Sequence, residues 1–189
     1  MMKEGIAAAV FSCMLLSGCS KADSGKQAVS SPAHEKPAQG SEGQTPYYDG
    51  LIEEYQRLLA EDPNNLAVLI ALGNANYNSS RWKEAVTSYR RALSIDPRNS
   101  DVRTDMGTAY RNMGMSDRAL AEYRTALEHD PGNQNARYNM GIVYAYDKRD
   151  YQAAIHVWED VLRVSPNYPQ SDRMRACITT FKKVLKEGP

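Results

Sequence analysis

Apolar residues recur along most of this chain at the spacing of one face of an α-helix. Leu51, Ile52, Tyr55, Leu58 and Leu59 form the first such stripe. Leu69, Leu72 and Gly73 mark a second, and Trp82, Ala85, Val86, Tyr89, Ala92 and Leu93 a third. The pattern then repeats at the interval that separates Gly73 from Gly107. Ala85 returns as Ala119, Tyr89 as Tyr123, Ala92-Leu93 as Ala126-Leu127, and Asp96-Pro97 as Asp130-Pro131. A third copy carries Met140-Gly141 and then one extra residue, placed within 146–151 between its helices. Ala154, Trp158, Leu162 and Pro166 therefore align one position late. A last stripe of Met174, Ile178, Phe181 and Leu185 closes the series. The Asp-Pro pairs end helices, because the residue before proline is pushed out of the α region. The pattern predicts seven or eight helices after residue 46 and no sheet. Self-similarity at a period of this length marks a helical repeat array.

The small residues have a physical task. Glycine inside a helix costs about 1 kcal/mol relative to alanine. Its return at Gly73, Gly107 and Gly141 argues for close packing of paired helices, with Tyr89 filling the space between them. With these glycines, alanines, aromatics and prolines at matching places, residues 48–187 resemble the tetratricopeptide repeat (TPR) family. The resemblance implies an all-α fold, a right-handed superhelix of antiparallel helix pairs with terminal capping helices. It also implies a protein that binds other proteins. Asn76 departs from the family's aromatic, present here as Tyr110 and Tyr144, and predicts a looser first repeat.

The N-terminal residues follow a different rule. Gly5–Leu16 is an uncharged run, too short to span a bilayer and suited to the core of a secretory signal. Leu16-Ser17-Gly18-Cys19 resembles the bacterial lipobox, an aliphatic residue and two small residues before a cysteine. That resemblance implies cleavage before Cys19 and acyl chains on its sulfur. The alternative is an ordinary cleaved signal in which Cys19 is incidental. Residues 20–46 are polar, with Val29 the only branched aliphatic. Such a stretch buries too little apolar surface to offset ordering. It reads as a tether with an end-to-end distance of about 30 Å. The division is a signal peptide at 1–18, a lipidated cysteine and tether at 19–46 and a capping helix at 47–65. Three repeats follow at 66–99, 100–133 and 134–167, with a second cap at 168–189.

Charge and chemistry add little. The 23 basic and 23 acidic side chains balance, which offers no electrostatic case for nucleic acid. Cys177 reads as a small apolar side chain in a packed helix, and His129 as a cation favoured in the last turn of its helix. No Gly-rich phosphate loop, metal-ligand spacing or Ser, His and acid set is legible. No enzyme, no cofactor and no metal site is expected.

The family resemblance implies instead a concave groove lined by the first helix of each repeat. The groove positions are Ile70, Asn74, Tyr77 and Asn78 in the first repeat. They are Asp101, Thr104, Asp105, Thr108, Arg111 and Asn112 in the second, and Asn135, Tyr138, Asn139, Ile142 and Tyr146 in the third. Asparagine both donates to and accepts from a peptide backbone, and tyrosine suits recognition surfaces. On this reading Tyr138 and Asn112 can be truncated without harm to the fold. The alternative is an indifferent wetted surface. Chaperone-binding relatives grip carboxylates with cations in the groove; here Ile70 and Asn139 occupy clamp-like places, Asp101 and Asp105 face that region and Arg111 stands alone, so that clamp is not expected.

The function expected is a lipid-anchored adaptor of the bacterial cell envelope, on the periplasmic side of the outer membrane, that binds segments of envelope proteins. Resembling families assist the assembly of pili, outer-membrane proteins or c-type cytochromes. A second reading is a homodimer formed through terminal helices, with Phe181 or Leu185 supplying apolar surface.

Overall fold

The computed structural model describes residues 45–187 of the 189 in the chain. The leader, Cys19 and the tether up to residue 44 lie outside the described residues. Among the described residues all regular structure is helical. α1 spans Thr45–Glu61, α2 Leu66–Asn78, α3 Trp82–Ile95 and α4 Ser100–Asn112. α5 spans Ser116–His129, α6 Gln134–Ile142, α7 Tyr151–Val164 and α8 Ser171–Glu187. A π-helical turn, Val143–Lys148, follows α6. α1 begins at Thr45, just inside the stretch assigned to the tether. The described residues form two compact units, 45–139 and 140–187, so the division falls inside α6 rather than at a repeat boundary.

In the first unit, successive helices pack on one another from α1 to α5. Three asparagines at one register of the repeat set where the first helix of each pair begins. Asn65 accepts the backbone N–H of Val68 at 3.2 Å, Asn99 that of Val102 at 3.0 Å, and Asn133 that of Ala136 at 2.8 Å. Each satisfies a donor that the first turn leaves without a helical partner. Tyr89 and Tyr123 are fully buried, and Ala85, Ala92, Ala119 and Ala126 close the packing around them.

The recurring glycines meet those tyrosines directly. A Cβ on Gly107 would stand 2.6 Å from Cε1 of Tyr123. One on Gly73 would collide with the Tyr89 ring in the same way. The ring lies on the bare helix backbone, so the glycine makes room for the aromatic of its own pair. Each tyrosine then directs its hydroxyl to the residue after the glycine. Tyr89 donates to Asn74 Oδ1 at 2.7 Å, and Tyr123 and Thr108 share a hydrogen bond at 3.1 Å.

The second unit keeps the packing and changes its chemistry. Gly141 lies under Trp158, and the residue after the glycine is the apolar Ile142. Trp158 stacks on Phe181 of α8 at 6.1 Å between centroids, and Phe181 stacks on Tyr151 at 4.6 Å. Met174, Cys177 and Ile178 join Phe181 on the buried face of α8, while Leu185 is 46% exposed. The capping stripe therefore covers α7 with three of its four residues. Phe181 has no exposed surface, so of the two side chains expected to serve a homodimer only Leu185 presents any.

The extra residue of the third copy lies in the helix, earlier than the turn where sequence spacing put it. The left-handed residue that ends each first helix is Ser80, Gly114 and then Arg149, at φ 60, 75 and 55°. The closing bonds run from Arg81 N–H to Asn76, from Met115 N–H to Tyr110, and from Asp150 N–H to Tyr144. The added residue is therefore between Tyr144 and Arg149, inside the π-helical turn. A helix absorbs one residue by widening a turn; the left-handed stop that follows has fixed geometry and cannot.

Candidate functional site

The inner positions named from the sequence fall on α2, α4 and α6 and on the π-helical turn. Asp101 is exposed. Ile70, Asn74, Asn78, Arg111, Asn112, Asn135, Asn139, Ile142 and Tyr146 are half-buried. Tyr77, Thr104, Asp105, Thr108 and Tyr138 are buried. In the first unit the structure brings most of these side chains together, and it commits many of them to joining one repeat to the next. Asn112 donates to the Tyr77 hydroxyl at 2.9 Å. Asn139 donates to Thr108 Oγ1 at 3.3 Å. Asn133 reaches across to Asp101 Oδ1 at 3.1 Å and to Thr104 Oγ1 at 3.3 Å. These bonds form a polar ladder between α2, α4 and the start of α6.

That ladder corrects one expectation. Tyr138 is 7% exposed and Asn112 holds Tyr77, so truncating either disturbs folding as well as any surface. Of the groove positions, Asn78 takes no part in these bonds, and the exposed Asp101 gives up one of them, its bond from Asn133, which Thr104 also accepts. Asn133 was the member of the ladder that residue patterning missed. Its signal was present in the return of asparagine at 65, 99 and 133. Tyr146 belongs to the second unit, where its hydroxyl lies 3.5 Å from the Cys177 sulfur and its ring 6.5 Å from that of Trp158.

The ladder encloses one carboxyl. Asp105 is 9% exposed, and burial first, then the charge of Asp101, push its pKa up to about 7. It lies close enough to Tyr77, Tyr89 and Tyr123 for its charge to add to the upward shift that burial imposes on each phenol. Arg111 acts in the opposite direction on Tyr77 and Tyr123. Burial therefore opposes ionisation of the carboxyl in the middle of the polar stripe. Arg103 braces α4 against α5 through Glu122 at 3.0 Å.

A family model described as TPR repeat matches residues 73–114, and one described as tetratricopeptide repeat matches residues 104–172. Together they run over more than half of the chain. Among solved structures, a crystal structure of MamA is 21% identical over 76% of this chain and 90% of its own, with a TM-score of 0.62. A second MamA structure has the same identity and TM-score and is covered over 84% of its length. The Sgt2 TPR domain from Aspergillus fumigatus is 27% identical over 65% of this chain and 80% of its own, with a TM-score of 0.57. No curated protein matches the sequence.

Proposed function

Because the chain belongs to the tetratricopeptide repeat family, whose members mediate protein–protein interactions, we propose that it is a lipid-anchored adaptor of the bacterial cell envelope. The observation that carries the binding half of this reading is the polar stripe of α2, α4 and α6. There Asp101 is exposed and Asn74, Asn78, Arg111 and Asn135 are half-buried, so each keeps some accessible surface beside the bonds that tie the repeats together. Accessible amide side chains offer both donors and acceptors to an extended segment or helix of a client. The client is an envelope protein on this reading.

Asn78→Ala with Asp101→Ala tests the stripe. Each lost side chain removes a hydrogen bond or two worth about 1 kcal/mol. Capture of crosslinked clients from the native envelope should fall about tenfold or more, with the melting temperature moving by only a few degrees. Undiminished capture would move the binding surface away from these helices.

The anchor half rests on Leu16-Ser17-Gly18-Cys19. No described helix is long and apolar enough to cross a membrane. A single acyl chain holds a protein only marginally, and two or more hold it stably. Membrane association on this reading rests on Cys19. Ser20 stands where aspartate would favour inner-membrane retention in enteric relatives, so the outer membrane is the expected destination. Cys19→Ala should leave an unprocessed precursor or a soluble product that melts like the parent. Fractionation with mass spectrometry of the mature N-terminus decides it. A native chain found soluble, unlipidated and cut elsewhere would sink the anchor and leave the adaptor standing.

A further inference from the structure

Asn76 stands one repeat before Tyr110 and two before Tyr144, on the face of its helix away from the polar stripe. Tyr110 packs against the core of the first unit, with the Arg118 guanidinium 5.7 Å from its ring centroid. The shorter asparagine leaves the corresponding room unfilled. A cavity of about 610 Å³ opens there between α1 and α3, with α2 as its floor. Ile52 and Leu59 of α1 and Leu72 of α2 give it apolar walls, and Asn76, Ser88 and Arg91 give it polar ones. This volume lies within the range of sites that take small ligands or side chains.

The polar wall carries two acceptors that no donor among the described residues engages. Asn76 is 4% exposed; its Nδ2 donates to the Leu72 carbonyl at 2.9 Å. No hydrogen bond among the described residues engages its Oδ1. Ser88 is 5% exposed and gives its hydroxyl hydrogen to the Glu84 carbonyl at 3.1 Å. Both oxygens are left as acceptors. An occupant that displaces water from these oxygens must replace the donors that water supplies, so a well-matched one is an apolar group that carries a donor.

We propose that this cavity receives a tyrosine side chain from a partner polypeptide, its ring between Ile52, Leu59 and Leu72 and its phenol hydrogen donated to Asn76 Oδ1. The repeat scaffold already accepts tyrosine at this register twice. Residues 1–44 contain no tyrosine, so that segment does not supply one. The site is separate from the polar stripe and does not depend on it.

The test is a nuclear magnetic resonance titration of the full chain with p-cresol, the tyrosine side chain in isolation, and with toluene, which has the ring without the donor. Saturable shifts should centre on the amides of Leu72, Asn76 and Ser88, and p-cresol should bind about threefold or more tighter than toluene. Asn76→Tyr places the ring of the other repeats in the cavity; it should abolish both titrations and raise the melting temperature. Asn76→Leu, which removes the acceptor and keeps the bulk, should make the two probes equal. Shifts centred elsewhere, equal binding of the two probes to the native chain, or unchanged binding to Asn76→Tyr would overturn the proposal. Concentration-dependent shifts of these amides without any probe would also overturn it, because the occupant would then be a second copy, through the exposed Tyr47.

Discussion

Gly107→Leu should lower the stability of the first unit by about 3–5 kcal/mol. The new side chain starts from a Cβ 2.6 Å from the Tyr123 ring, in a fully buried setting. Overpacking of this kind costs about 1–3 kcal/mol, and a Cβ this close to a buried ring puts the site at the upper end. The ring cannot shift without breaking its bond to Thr108, which would strand the buried Tyr123 hydroxyl at a further 1–3 kcal/mol, roughly. Leucine's better helix propensity returns only about 1 kcal/mol. For a chain of this size the loss corresponds to roughly 10 °C or more in the melting temperature. Gly50→Ala is the control. A Cβ there meets nothing within 4 Å, so the substitution should be neutral or slightly stabilising. Circular dichroism melts of the two variants read the difference. A Gly107→Leu melt within a few degrees of the parent would refute the packing of tyrosine on glycine.

Much of this packing was legible in the sequence because repetition is an internal control. One glycine in a helix is ambiguous; three at one register, each answered by a buried aromatic in the second helix of its pair, are not. Spacing pointed to close packing of paired helices with Tyr89 between them, and the structure adds the contact: the glycine makes room for the aromatic of its own pair. The chemistry of the third copy was visible too. Where tyrosine becomes Trp158, the polar residue after the glycine becomes Ile142, as expected if that position answers to the aromatic tip. The site of the extra residue was not legible, because a π-helical turn and a longer loop have the same spacing in the sequence.

The polar stripe was the hardest part to read. Helical geometry placed Tyr77, Thr104, Asp105, Thr108 and Tyr138 on an inner face, and the structure buries all of them. Geometry within one helix does not say how closely the next repeat approaches. Here the approach is near enough for Asn112, Asn133 and Asn139 to bond across it. Side chains that looked like a free surface in one helix are half committed to cohesion between two. Their amides were read as client contacts because nothing in a single repeat distinguishes the two uses.

Asp105→Asn should stabilise the protein above neutral pH and flatten its dependence on pH. Burial and the Asp101 charge hold the Asp105 carboxyl at about 7 in the folded chain. In an unfolded chain an aspartate titrates near 3.9. Below about pH 4 both states carry the proton, and the site imposes no cost on folding. As pH rises towards 7 the unfolded chain ionises freely while the folded chain resists, so stability falls through this window and levels off above it. At 1.36 kcal/mol for each pKa unit, the full effect reaches about 4 kcal/mol. Asparagine keeps the shape and never ionises. The parent should therefore lose several degrees of melting temperature between pH 5 and pH 8 relative to the variant, with the curves converging at the acid end. Taking the difference between the two chains removes the titration of Asp101 and of every other shared group. The phenols of Tyr77, Tyr89 and Tyr123 are all pushed above their ordinary value and stay protonated throughout this range. A constant offset between the two melting curves from pH 5 to pH 8 would mean that Asp105 is ionised across the whole range, and that the polar stripe holds a permanent charge at its centre.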